Sequence, residues 1–120
     1  MESKEKILLR KANEFYDKKN YQNSITRFEE LLKIDKSNPD YFEKIGMCYF
    51  HSRNLILCLK NLNKAQKLDP NNPFRYSSRA FVKNGMGDVD GAIEDYNIAI
   101  HLDPQDAIAH NNLGLLQEKI

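Results

Sequence analysis

The sequence predicts an all-α fold: a right-handed solenoid of antiparallel helix pairs, about three pairs followed by one extra C-terminal helix. Three observations predict it. Residue types recur every 34 positions, apolar residues within each period follow helical spacing, and chain breakers fall at the same two places in every period. With Pro39, Pro73 and Ala107 set as equivalent, and one further step back to Glu5, four columns align. Ala12, Gly46, Ala80 and Gly114 share one column, and Ser24, Cys58 and Ala92 another. Phe15, Tyr49 and Lys83 share a third, and Phe28, Leu62 and Tyr96 a fourth. Small residues recur where two backbones must approach, and bulky ones where a gap must be filled. A fixed period of this size marks stacked helix pairs, an architecture that presents surface rather than enclosing a reaction centre.

The elements follow in order. The first helix is expected over 3–18 and the second over 21–34, separated by Lys19-Asn20. Asn38-Pro39 then pairs an N-cap residue with proline at the first helical position, where a missing N–H costs nothing. That opens a third helix over 39–52, and Arg53-Asn54 divides it from a fourth over 55–68. Asp69-Pro70 closes the fourth, because proline cannot continue a helix. Asn72-Pro73 opens a fifth over 73–86, and Gly87-Asp88 precedes a sixth over 89–102. In the sixth, Val89, Ala92, Ile93, Tyr96, Ala99 and Ile100 form one stripe at spacings of three and four. Asp103-Pro104 ends it, and Asp106 caps a seventh over 107–119. The links are short, so successive helices should be antiparallel neighbours. The domain reading is a single domain over 1–120, with repeats near 5–38, 39–72 and 73–106 and a partial one over 107–120.

Composition narrows the function classes. Charged residues make up 29% of the chain, and no apolar run approaches the roughly 18 residues of a spanning helix, so no membrane insertion is expected. The charged start, Met1-Glu2-Ser3-Lys4-Glu5-Lys6, lacks the apolar core of a signal peptide, which points to the cytoplasm. A formal net charge of +1 argues against nucleic acid as a partner. Cys48 and Cys58 are too few for a disulfide framework and match no common zinc spacing, so both read as small core residues.

The third period, NPFRYSSRAFVKNGMGDVDGAIEDYNIAIHLDP, resembles a tetratricopeptide repeat. That family favours an aromatic at position four, small residues at eight and twenty, an aromatic at eleven or twenty-four, alanine at twenty-seven and proline at thirty-two. Here those positions hold Tyr76, Ala80, Ala92, Tyr96, Ala99 and Pro104. The second period gives Phe42, Gly46, Tyr49, Cys58, Leu62, Ala65 and Pro70. The first gives Leu8, Ala12, Phe15, Ser24, Phe28 and Leu31, with Lys36 in place of proline. Two departures stand out: Arg79 replaces the usual leucine at seven, and Lys83 the aromatic at eleven. Their stems are expected to pack while their charges reach water.

The resemblance implies that the first helix of each pair lines a concave groove. Its inward positions then collect Asn13, Tyr16, Lys44, Met47, Phe50, Phe74, Phe81, Asn112 and Leu115, a mixed set with a large apolar share. Apolar anchors gathered in a concavity mark a binding surface. His51 stands beside them as a residue with a polar role. One subgroup of the family clamps the C-terminal carboxylates of chaperone tails with five lysine, asparagine and arginine positions. Those positions hold Leu9, Asn13, Lys44, Phe74 and Ser78 here, and only Asn13 matches. Shifting by one repeat gives Glu43, Met47, Ser78, Ile108 and Asn112, which match nothing.

His51, His101 and His110 occupy three different repeat positions, and no phosphate loop or nucleophile–base pairing is present in the sequence. The expectation is therefore a noncatalytic interaction module that binds a peptide segment of a protein partner, without a cofactor or a metal. Two alternatives stand beside it: a targeting arm of a larger multidomain enzyme, and a scaffold that self-associates end to end. The second would use an apolar stripe of Leu113, Leu116 and Ile120, expected to lie uncovered on the seventh helix. The secondary structure is directly testable. A far-ultraviolet circular dichroism spectrum should be that of an almost wholly helical protein, and appreciable strand would contradict the reading.

Overall fold

The computed structural model describes residues 1–119. Seven helices and no strand occur among them: α1 (Lys4–Asp17), α2 (Tyr21–Ile34), α3 (Pro39–His51), α4 (Leu55–Leu68), α5 (Pro73–Gly85), α6 (Val89–Leu102) and α7 (Ala107–Gln117). Each helix start is fixed by the side chain in front of it. Ser3 accepts from the Lys6 amide, Asn38 from Asp40, Asn72 from Phe74, and Asp106 from both Ile108 and Ala109. Asn20, Asn54 and Asp88 do the same for α2, α4 and α6. A cap of this kind contributes about 1 kcal/mol.

The turn inside each pair is equally regular. Lys19, Arg53 and Gly87 stand 34 residues apart and all have positive φ, at 62°, 63° and 86°. In each case the next amide donates back across the helix end: Asn20 to the Phe15 carbonyl, Asn54 to Tyr49 and Asp88 to Lys83, at 2.8–2.9 Å. This pattern ends a helix and turns the chain sharply. Glycine suits the left-handed position, and the lysine and arginine occupy it at a local cost of about 1–2 kcal/mol.

The chain parts into two compact units, Met1–Leu68 and the residues from Asp69 onward. In the first unit, Leu8 and Ala12 of α1 meet Ile25, Phe28 and Leu31 of α2 and Tyr41, Ile45 and Cys48 of α3, all buried. Burial of each large side chain is worth roughly 1.5–3 kcal/mol. Ser24 is fully buried where a smaller apolar residue would serve. Its hydroxyl is satisfied by donating to the Ala12 carbonyl at 2.9 Å. Tyr41 donates to the Glu5 carboxylate at 2.8 Å, and its phenol is pushed up to about 12, chiefly by burial and then by that hydrogen bond. The α3–α4 pair closes on Gly46: a Cβ there would lie 3.0 Å from Leu62 Cδ2 and 3.2 Å from the Cys58 carbonyl oxygen.

In the second unit, Ala80, Ala92, Tyr96, Ala109 and Leu116 form the core, with Val89, Ile93, Ile100 and Leu113 packed against it. Two expectations are corrected here. The charges of Arg79 and Lys83 do not reach outward. Arg79 binds the Asp95 carboxylate through two nitrogens at 2.7 and 2.8 Å, and Lys83 Nζ lies 2.9 Å from it. Asp95 is only 2% exposed, and a buried carboxylate is tolerable only when paired and hydrogen-bonded. It therefore draws both cations inward. The hydrogen bond and charge of Asp95 raise the Arg79 pKa. Second, the stripe expected to lie uncovered on α7 is largely filled from within. Leu116 is 3% exposed, because it and Leu113 face the α5–α6 pair; Ile120 lies outside the described residues.

The recurring small column yields a paired prediction. Gly46→Ala should destabilise by roughly 1–3 kcal/mol through overpacking. Gly114→Ala, at the equivalent position but with nothing within 4 Å of the added methyl, should stabilise by about 0.5–1 kcal/mol. Denaturant unfolding of the two variants checks this, and shifts of the same sign would contradict the packing described.

Candidate functional site

The expected site residues all lie on the first helix of a pair or on α7. In the first unit Asn13 and Tyr16 belong to α1, and Lys44, Met47 and Phe50 to α3. All five are half-buried. Three of them join one aromatic cluster centred on His51, at the last position of α3. Tyr16 Oη and His51 Nε2 lie 3.0 Å apart in a hydrogen bond. The Tyr21 ring stacks on His51 at 5.0 Å, and Phe50 meets it edge-on at 5.5 Å. Lys44 Nζ sits 4.5 Å from the centre of the Tyr16 ring, within cation–π range. Burial is the first cause of the raised Tyr16 phenol pKa. Tyr21 was not singled out in the sequence because it opens a second helix; its aromatic character was the only signal.

In the second unit the apolar residues are the more exposed ones. Phe74 is 54% and Phe81 53% exposed on α5, and Ile108 is 74% and Leu115 53% exposed on α7. Phe81 and Leu115 line a pocket of about 490 Å³ with Asn84, Tyr96, Asn112 and Leu116, and the charged pair Glu118 and Lys119 stands at its edge. Tyr96 lies beside Asn112 there, and burial raises its phenol pKa while Asn112 partly lowers it. The Phe74 ring has the Arg75 guanidinium 5.9 Å from its centre.

The groups that carry chemistry elsewhere are occupied by packing. Cys48 and Cys58 are buried free thiols, and burial raises both, Cys58 to about 12. A thiol in that state is a small hydrophobe and not a nucleophile. His110 Nε2 lies 3.0 Å from the Pro104 carbonyl oxygen. No group of three or more His, Cys, Asp and Glu side chains among the described residues is placed to hold a metal ion. None of the described helices is long and apolar enough to cross a membrane. The arrangement offers shape, apolar area and a few oriented polar groups.

Known proteins share this fold. The TPR repeat family model matches residues 84–120. The heat shock protein sti1 homolog of Schizosaccharomyces pombe is 26% identical over 103 residues, which cover 86% of this chain and 17% of that protein. The chain spans about a fifth of the length of the curated relatives it matches. Among solved structures, the first TPR of Spaghetti (RPAP3), bound to the HSP90 peptide SRMEEVD, superposes with a TM-score of 0.87 at 22% identity, covering 97% of this chain and 92% of that one. The Yersinia enterocolitica type III secretion chaperone SycD, in complex with a peptide of the translocator YopD, gives 0.87 at 16% identity, covering 95% and 92%. These likenesses establish the all-α helix-pair fold. Beside the 34-residue period and the capped helix pairs, the matched model makes residues 84–120 similar to a TPR repeat.

Proposed function

We propose that this chain is a noncatalytic interaction module that holds a peptide segment of a protein partner against the outward faces of α5 and α7. One observation carries the reading. Four large apolar side chains, Phe74, Phe81, Ile108 and Leu115, stand at least half exposed on one unit whose core is otherwise well filled. Exposed aromatics and aliphatics that the fold does not need are the usual anchors of a recognition surface. Asn112 serves as an orienting group beside Phe81 and Leu115, and in the first unit Asn13 and Lys44 play that part, with Lys44 already held over Tyr16. Side chains fixed before binding lose little freedom when a ligand arrives.

The similar structures of the RPAP3 and SycD domains each contain a peptide, which supports the same use of the fold here. Only one of the five carboxylate-clamp positions, Asn13, is matched, so the contact is apolar at its centre.

Affinity capture with the full chain, followed by peptide mapping of what is retained, tests the reading when repeated with variants. Phe81→Ala should leave stability within about 0.5 kcal/mol, as for an exposed position, and weaken capture by tenfold or more. Ile56→Ala, at an exposed site on α4, should change neither. Equal capture by the Phe81 and Ile56 variants would contradict the assignment.

A further inference from the structure

We infer that the occupant of the α5–α7 face is an amphipathic helix that presents apolar residues two turns apart and no acidic residue on that side. This rests on the peptide-binding reading above and goes beyond it by fixing the chemistry and conformation of the partner.

The first argument is periodicity. Phe74 and Phe81 are seven residues apart on α5, and Ile108 and Leu115 are seven apart on α7. Two helical turns separate each pair by about 10.5 Å along the axis. The pairs occupy the same two repeat positions, 34 residues apart, so the face carries two rows of equal pitch. A partner helix repeats its own apolar side at the same interval, with residues at i, i+3 or i+4, and i+7. An extended chain covers about 10 Å in three residues, and those three steps turn the side chain to the opposite face. Equal pitch therefore favours a helix laid along the rows.

The second argument is charge. The near-neutral chain is divided: fourteen basic against nine acidic residues up to Leu68, and four basic against eight acidic from Asp69 onward. Of those four basic side chains, three are turned onto carboxylates of their own unit, and the fourth, exposed Lys119, stands with Glu118 at the pocket of Phe81 and Leu115. Buried Arg75 lies 3.0 Å from Asp69, and Arg79 and Lys83 both meet Asp95. Asp88, Asp90, Glu94 and Glu118 remain exposed. A unit of this sign attracts basic flanks and repels an acidic tail.

The test is selection of random 16-residue peptides displayed on phage against the full chain, counter-selected against folded Phe81→Ala and Leu115→Ala variants. Two variants are used so that one poorly folded protein does not decide the result. Enriched peptides should carry apolar residues at i, i+3 or i+4, and i+7, be depleted in Asp and Glu, and contain no central proline. A synthetic copy should gain helical circular dichroism on binding, and a central proline should weaken it at least tenfold. Enriched peptides that depend on Phe81 and Leu115 but alternate with period two, contain proline or end in acidic residues would overturn the helix inference and leave the peptide-binding reading standing. Enrichment indifferent to both variants, or no enrichment, would overturn both.

Discussion

The close approach of the two helices within each pair is the constraint on which the rest of the structure depends. It requires a residue with almost no side chain on each first helix and another facing it: Ala12 with Ser24, Gly46 with Cys58, and Ala80 with Ala92. All of these are buried. Where the approach is tightest, at Gly46, even a methyl group would press on Leu62 and on the Cys58 backbone. Backbones this close leave little room for large side chains at the crossing itself, so these are displaced to its flanks. Some, such as Phe28 and Leu62, fill the remaining gaps. Others, such as Phe74 and Phe81, stay about half exposed at the surface.

The fold was legible because its determinants are local and repeated. Caps, left-handed turn positions and small columns each recur at the period, so three weak signals reinforce one another. Every helix boundary expected from them lies within two residues of the observed one. The family resemblance rests on those same residues. The destinations of polar side chains were much less legible. Arg79 and Lys83 read as surface cations because sequence periodicity cannot say which partner a long side chain finds across a helix pair. The partner, Asp95, sits at a position held by Arg27 and Asn61 in the earlier repeats, so no column marked it. In the first repeat the same place holds Arg27, with its guanidinium 5.8 Å from the centre of the Phe15 ring. An aromatic at position eleven there, and a cation at position eleven in the third repeat, are each matched by the residue at position twenty-three. This is a pairwise exchange that single columns conceal.

Leu116 shows the other kind of miss. A stripe of leucines on the last helix reads as uncovered when the next helix is imagined as its only cover. The α5–α6 pair reaches it instead, and the exposed apolar residues of α7 are Ile108 and Leu115, on a different side. The candidate site was thus legible in its composition and only partly in its state. Nothing in the sequence marks Lys44 as held over Tyr16. That contact depends on a rotamer, which the repeat pattern does not specify.

The outward faces of α5 and α7, and not the second helices, are expected to meet the partner. The most direct measurement is a methyl-resolved nuclear magnetic resonance titration of the full chain with a peptide it retains. The methyl signals of Ile108 and Leu115 are predicted to shift as the peptide is added, while Ile56 on α4, 76% exposed, stays in place. A shift at Ile56 with Ile108 and Leu115 unchanged would contradict this reading.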